Sequence, residues 1–289
     1  MEHSFFDYSP IVRRQAPRLP DGKRLAVWIG LNVEHYQYGQ QAMSLAQFTA
    51  QLVPDPLNHG WRDYGVRAGI WRLMELLDRH GFRASAITNA EVFGRYPEIV
   101  EEGSKRGWAW IGHGNDNSSW WVGMDRESEI AAINGIVEAF TRATGAAPRG
   151  WLGPALTSTE NTLEVLAELG FSYSLDWAND DQPYRFNTTT GALASVPYSS
   201  EVNDIPAFVL HHHTGEQFAQ SVIDQFDQLY EEGADDLRVM GIGIHPFLVG
   251  QPFRARHFAR ALEHIAGHDD VWLATSDEIA DWYLGAAQA

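Results

Sequence analysis

Residues Leu25 to Tyr36 read L-A-V-W-I-G-L-N-V-E-H-Y. The first half is an apolar run of β-formers, the pattern of a buried strand. The second half gathers three polar groups, Asn32, Glu34 and His35. In parallel α/β folds the ligand sits just beyond the carboxyl ends of the strands, so polar groups at such an end mark a rim. Asn32 and Glu34 stand two apart and share one face for as long as the strand lasts. Recurrence of this arrangement, more than the single stretch, decides the fold.

Upstream, residues 1–24 contain Pro10, Pro17 and Pro20 and read as an extended arm laid over the domain or a neighbouring subunit. Downstream, residues 37–63 show no clear period, which in a compact domain points to a functional loop. Ile70, Leu73, Met74 and Leu77 then give a helix closed by Gly81, and Arg83–Thr88 a second strand. The spacing continues with a helix over 97–106 and strand W-A-W-I-G-H ending at His113. After the loop G-N-D-N-S-S-W-W come a helix ending at Gly145 and a strand 149–152 running into Gly153-Pro154. Thr157 with Glu160, Thr214 with Gln217 and Thr275 with Glu278 fit capping boxes. Strand F-S-Y-S-L-D ends at Asp176, 177–204 is loop-rich, 205–210 reads as a strand, V-M-G-I-G-I-H ends at His245, and 271–274 is the last strand. This unbroken β-α alternation predicts an α/β fold with a parallel sheet, and its number of repeats predicts closure into a distorted barrel of seven or eight strands. No linker divides residues 25–289, which are expected to form a single domain.

The net charge of −17 argues against nucleic acid as a partner, whose phosphates need a basic surface. It also disfavours long-range capture of an anionic substrate, although a local Arg can still hold one. There is no apolar run of membrane-spanning length and no signal-peptide pattern at the start, so the expectation is a cytoplasmic protein without a membrane partner. With no Cys, disulfides and thiolate chemistry are excluded. Eleven Trp and ten Tyr suit pocket walls and subunit contacts, which with the arm predicts a homo-oligomer, a dimer or tetramer.

Predicted strands end in Asn32/Glu34, His113, Asp176 and His245, and another ends at Pro154. In a barrel these scattered positions share one rim, where catalytic groups converge. His211, His212 and His213 cannot all face one ion, because successive extended residues point opposite ways. Among the acids of the 177–204 loop, Asp180 and Asp204 are preferred as rim residues. Asn117 and Trp120 belong to the loop after His113 and are expected to meet the substrate.

With these residues in place, the chain resembles the polysaccharide deacetylase family over roughly residues 20 to 285. The motifs that carry the likeness are L-N-V-E (31–34), Y-G-V-R-A-G-I-W-R-L (64–73), T-G-E-Q-F (214–218) and I-H-P-F-L-V-G-Q-P (244–252). They resemble most the branch that includes metal-independent allantoinases and bacterial cyclic imide hydrolases. The resemblance implies a deacetylase-type (β/α) barrel and hydrolysis of an amide C–N bond. Metal-dependent members carry an aspartate base beside an aspartate ligand, and two His four residues apart. In this chain those positions hold Asn32, Glu34, His113 and Asn117. Glu34 and His113 leave two good zinc ligands, with His35 or Asn117 as a conceivable third, where a catalytic zinc wants three.

The expectation is therefore a metal-independent hydrolase that opens a small cyclic amide or imide. Glu34 serves as base or water-orienting group and His245 as acid, with Asp176 or Asp180 orienting the His245 ring; Asp180 completes the catalytic set. Asn32, His35, His113, Asn117, Trp120, Pro154, Asp176 and Asp204 are expected to bind substrate. The alternatives are a metal-dependent deacetylase of N-acylated sugars or peptidoglycan, with zinc on Glu34, His113 and one of His35 or Asn117, and an inactive ligand-binding barrel.

Overall fold

The structure is a computed structural model that describes residues 3–286. The first two residues of the arm and the last three of the barrel segment lie outside the described residues. Strand β1, Leu25–Val33, is buried at every position and pairs with three other strands. Each of its fully buried aliphatic side chains stabilises by about 1.5–3 kcal/mol. One charge placed among them would cancel much of the roughly 5–15 kcal/mol that holds a typical domain together.

Helix α1, Pro56–Tyr64, passes through a wide π-turn at Gly65–Gly69 into α2, Ile70–Arg79. Next come β2 (Ala84–Thr88), α3 (Glu91–Arg95), α4 (Pro97–Lys105), β3 (Ala109–Gly112) and α5 (Arg126–Thr144). The middle of the chain holds β4 (Gly150–Trp151), α6 (Thr162–Glu168), β5 (Tyr173–Ser174), β6 (Tyr184–Arg185) and β7 (Ala194–Ser195). It closes with α7 (Gly215–Glu232), β8 (Val239–Ile244), α8 (Pro252–Ala266), β9 (Val271–Leu273) and α9 (Ser276–Ala286). No helix of the described residues is long and apolar enough to cross a membrane.

The sheet runs β6-β7-β5-β4-β3-β2-β1-β8, all parallel except the β6–β7 pair. Along one edge β1 pairs with β8, Ala26 to Leu31 against Val239 to Ile244. Its other edge is shared, β9 taking Leu25–Val27 and β2 taking Ile29–Val33. Between β7 and β8 the ladder is filled by an extended segment: Trp28 Nε1 donates to the Pro197 carbonyl at 3.0 Å, and Asn203 bridges to Gly243. The result is a distorted (β/α) barrel with seven parallel strands in its wall and β9 wedged at the amino end.

Alternation along β1 divides its side chains between two layers. Leu25, Val27, Ile29, Leu31 and Val33 pack outward under α2, α7 and α8. Ala26 and Trp28 fill the interior with Ile87, Ile111, Leu152 and Tyr198. Asn32 and Glu34 continue that interior column to the carboxyl rim.

Three local expectations are corrected. Residues 205–210 form no strand: Pro206–Leu210 is a π-turn, because Pro206 has no N–H for a ladder and the chain must turn out towards α7. Thr157 and Glu160 form no capping box, since the Thr157 hydroxyl donates to the Pro154 carbonyl and α6 starts later. The 37–63 stretch is not all loop: Asp55 caps and Pro56 opens α1. The boxes Thr214/Gln217 and Thr275/Glu278 form as expected.

Candidate active site

Glu34 sits just past the last residue of β1, on the interior face, and is 8 % exposed. Its Oε2 accepts from the Tyr36 hydroxyl at 2.6 Å, and its Oε1 from Asn117 Nδ2 at 2.7 Å. Two imidazoles converge on the same Oε1: His113 Nε2 at 3.4 Å and His245 Nε2 at 3.6 Å.

Each imidazole is aimed from behind. His113 ends β3, and its Nδ1 donates to the Leu152 carbonyl at 2.6 Å, so Nε2 is the atom presented to Glu34. His245 ends β8, and its Nδ1 meets Asp204 Oδ1 at 2.6 Å. Asp204 is fully buried, and its Oδ2 also accepts the backbone N–H groups of His245 (2.8 Å) and Val249 (3.2 Å). A close contact fixes this loop: a Cβ on Gly69 would stand 1.9 Å from the Pro246 carbonyl oxygen, so only glycine lets the π-turn lie against the His245 loop.

Burial works against both charges, but their neighbours outweigh it. Burial disfavours the His245 imidazolium, yet Asp204 and Glu34 raise its pKa to about 10. Burial likewise disfavours the Glu34 carboxylate, yet the charge of His245 and the bonds to both imidazoles hold it well below the usual carboxylate range. The resting site is thus a buried row of carboxylate, imidazolium and carboxylate.

The other expected site residues divide. Asp176 is half-buried at the end of β5, accepts from Gly153 N–H at 2.7 Å and lies close enough to feel the charge of His113. Burial pushes its carboxyl up to about 6. Pro154 packs under Gly114, behind His113. Asn32 is buried beneath Glu34, donating to the Ile244 carbonyl at 3.2 Å beside the Tyr198 hydroxyl, so it supports the floor. His35 turns away: its Nδ1 meets Tyr96 OH at 2.9 Å and its Nε2 faces Glu91 at 3.6 Å.

Two expectations fail on position. Asp180 is not at this rim. The loop after β5 crosses to the amino end of β8, where Asp181 accepts the Val239 N–H, and Asp180 pairs with Arg14 of the arm at 2.6 Å. Asp204 takes the place next to His245 that Asp180 or Asp176 was expected to fill. Trp120 is 66 % exposed, whereas its neighbour Trp121 is buried against Trp151 and binds Thr157 through its N–H, which turns Trp120 out to solvent. Tyr36 and Arg62, both buried, were not among the expected site residues; their signals were the end of the β1 stretch and a charge one turn inside α1.

The donor set does not fit a catalytic zinc ion. Glu34 and His113 are suitable ligands, but Asn117 turns an N–H2 towards Glu34, His35 is held by Tyr96, and His245 carries a proton where a ligand must be neutral. No cluster of three His, Cys, Asp or Glu side chains arranged to hold a metal ion occurs among the described residues.

A cleft with ≈ 200 Å³ of empty space reaches Glu34 between Tyr36, His59, Arg62, Asp63 and Tyr96. A larger hollow of ≈ 1220 Å³ lies between the arm and residues 179–187; it contains the Arg14–Asp180 pair and none of the rim groups.

Known proteins share this arrangement of the chain. A Schizosaccharomyces pombe protein described as a polysaccharide deacetylase is 31% identical over 241 residues, 75% of this chain and 73% of that protein. The Helicobacter pylori peptidoglycan deacetylase is 25% identical, over 83% of this chain and 91% of its own. Among solved structures, PuuE allantoinase superposes with a TM-score of 0.84 at 25% identity, covering 98% of this chain and all (100%) of the other. A Pseudomonas aeruginosa protein described as a polysaccharide deacetylase gives a TM-score of 0.84 at 28% identity, over 94% and 96% of the two chains. The family model for polysaccharide deacetylase matches residues 62–174, from the helix that lies against the His245 loop to the end of β5. With the likeness to the yeast protein running over most of both sequences, this chain belongs to the polysaccharide deacetylase family.

Proposed function

We propose that the chain hydrolyses a C–N bond in a small cyclic amide or imide, an allantoin-, hydantoin- or succinimide-like ring, without a metal ion. The observation that carries this reading is the convergence of His113 Nε2 and His245 Nε2 on one oxygen of Glu34, with Asp204 behind His245. Amide hydrolysis without a metal needs an acid for the leaving nitrogen, a group that aims and deprotonates water, and donors for the oxyanion. A further point supports it: the zinc ligand set is incomplete. The likeness to an allantoinase over the full chain agrees with a ring substrate.

The proton path follows from the charges. Glu34 orients water towards the carbonyl carbon. The water oxygen bonds to that carbon, and the negative charge that develops on the carbonyl oxygen is stabilised by the positive charge of the His245 imidazolium. As the C–N bond breaks, His245 Nε2 gives its proton to the departing nitrogen. Losing that positive neighbour raises the proton affinity of Glu34, which takes the proton of the attacking water. Glu34 and His245 then face each other as acid and base, and a transfer back across their 3.6 Å separation restores the resting pair. An imide nitrogen is a better leaving group than an amine, so less electrophilic help is required.

The test is ring-opening of hydantoin, succinimide and allantoin before and after exhaustive chelation, with wild type and Glu34→Gln. Activity that survives chelation and falls at least about 10³-fold in Glu34→Gln supports the reading, since removal of a general base commonly costs about 10²–10⁴-fold. Activity lost to chelator and regained with zinc would replace it with the metal-dependent deacetylase.

A further inference from the structure

Arg62 is 5 % exposed, and among the described residues no carboxylate forms an ion pair with it; Asp55 and Glu34 stabilise its charge from further off, and burial outweighs them. One guanidinium nitrogen, Nη1, donates to the Met43 carbonyl. The guanidinium carbon lies 4.9 Å over the Tyr36 ring, whose hydroxyl holds Glu34. Its Nε is buried and has no hydrogen-bond partner. The Nε–Nη2 edge, the side that carries two parallel N–H groups, is therefore unused by the protein. A buried charge whose carboxylates stand beyond ion-pair distance is only partly compensated, so an anion placed on this edge would be stabilised by it.

The surroundings show where such an anion would sit. Arg62 and Glu34 line the same cleft, with the Tyr36 ring between them. His59 lines it too, with an unpartnered buried Nδ1, and burial together with the charge of Arg62 disfavours its protonated form.

Resting on the reading of this site as a ring hydrolase, we infer that Arg62 binds a carboxylate carried by the substrate, so that the preferred substrate is a small cyclic amide or imide bearing an acidic side group. Two oxygens in one plane match the guanidinium fork, which a single neutral carbonyl or a sugar hydroxyl does not. The acidic group would then lie at the guanidinium over the face of the Tyr36 ring, and the scissile carbonyl at Glu34 beside that ring's hydroxyl. The protein's strong negative charge gives no long-range attraction for such an anion, so recognition depends on this one buried fork.

The experiment compares hydantoin-5-acetic acid with hydantoin, the same ring without the acid, in wild type, Arg62→Gln and Arg62→Lys. Dissociation constants are measured by calorimetry and, where turnover occurs, KM and kcat separately. The wild type is expected to bind the acid about 10–100-fold more tightly, the scale of a charge-assisted hydrogen-bonded pair. Both variants should bring the ratio to within about threefold, Arg62→Lys because it keeps the charge but loses the fork. A wild-type ratio near one, or a preference that survives in either variant, overturns the inference. If both variants fail to fold, the wild-type ratio alone decides. If the wild type opens neither ring but binds the acid through Arg62, the hydrolase reading fails while the carboxylate site stands. Ring-opening without preference for the acid gives the reverse result.

Discussion

Replacing Asp204 with Asn tests whether the buried acid is made by its neighbour. His245 has a pKa of about 10 against an ordinary 6.5, and Asp204 is its closer carboxylate, at 2.6 Å against 3.6 Å for Glu34. At roughly 1.36 kcal/mol per pH unit the whole elevation is worth about 5 kcal/mol between the two protonation states. Asp204, which is nearer and fully buried, carries the larger part of what raises it. Asn keeps the shape and one acceptor but removes the charge, so the alkaline limb of the kcat/KM profile should move from near pH 10 down towards 6.5. Turnover at neutral pH should fall about 10²–10⁴-fold as the acid is depleted and loses its orientation. Stability carries the same sign. A histidine whose folded pKa is raised stabilises fully below its unfolded value of 6.5, and that contribution is lost as pH rises through about 10. Urea midpoints for the wild type should therefore decline across that window, and those for Asp204→Asn should decline less. The pH profile is read alongside an NMR titration of the His245 ring. An unchanged alkaline limb with near-normal turnover would refute the idea that Asp204 makes His245 the acid.

Two further outcomes are expected. Gly69→Ala should destabilise by about 2–4 kcal/mol in urea unfolding, because its Cβ would stand 1.9 Å from the Pro246 carbonyl oxygen, and any folded protein should show reduced kcat as the His245 loop is displaced. Asn117→His should restore a His-x-x-x-His pair beside Glu34 and give a protein that retains zinc after dialysis, measured by metal analysis, while the wild type is expected to retain none.

The barrel was readable because strand and helix patterns alternate without a break and several strands end in polar groups, and burial on both faces of β1 leaves a long apolar run. Glu34, His113 and His245 follow from the same logic, since each is the first polar side chain past a strand. Asp204 and Asp180 show where the logic stops. Both stand in an irregular segment between β5 and β8, and sequence says that such a loop returns to the barrel without saying to which end. The returning chain pairs Asn203 with Gly243, which sets Asp204 under His245, while Asp181 pairs with Val239 at the opposite end. Trp120 and Trp121 could not be separated either, because which of two adjacent indoles turns inward depends on the distant Trp151 and Thr157. Arg62 was hidden for another reason: an Arg in a polar stretch reads as a solvated charge until the helix that carries it is seen to lie across the rim.

Asn32 at the position where the resemblance expects a base, and Asn117 where it expects a metal ligand, have a physical consequence that reaches the whole site. A buried carboxylate that once faced a divalent ion would be left uncompensated if the ion were simply removed, and such a group takes up a proton and loses its chemistry. Glu34 instead has four neighbours that stabilise its charge: the Tyr36 hydroxyl, the Asn117 amide and two imidazoles. The hydroxyl and the amide are neutral donors that keep their role throughout turnover, and His245, one of the two imidazoles, carries a positive charge that it can release as a proton, which a metal ion cannot do. The reading of a metal-free hydrolase therefore requires the pair Glu34 and His245 to change protonation together. A site that only bound ligands would have no use for an imidazolium caught between two buried carboxylates, because replacing the set with apolar side chains would be neutral or stabilising.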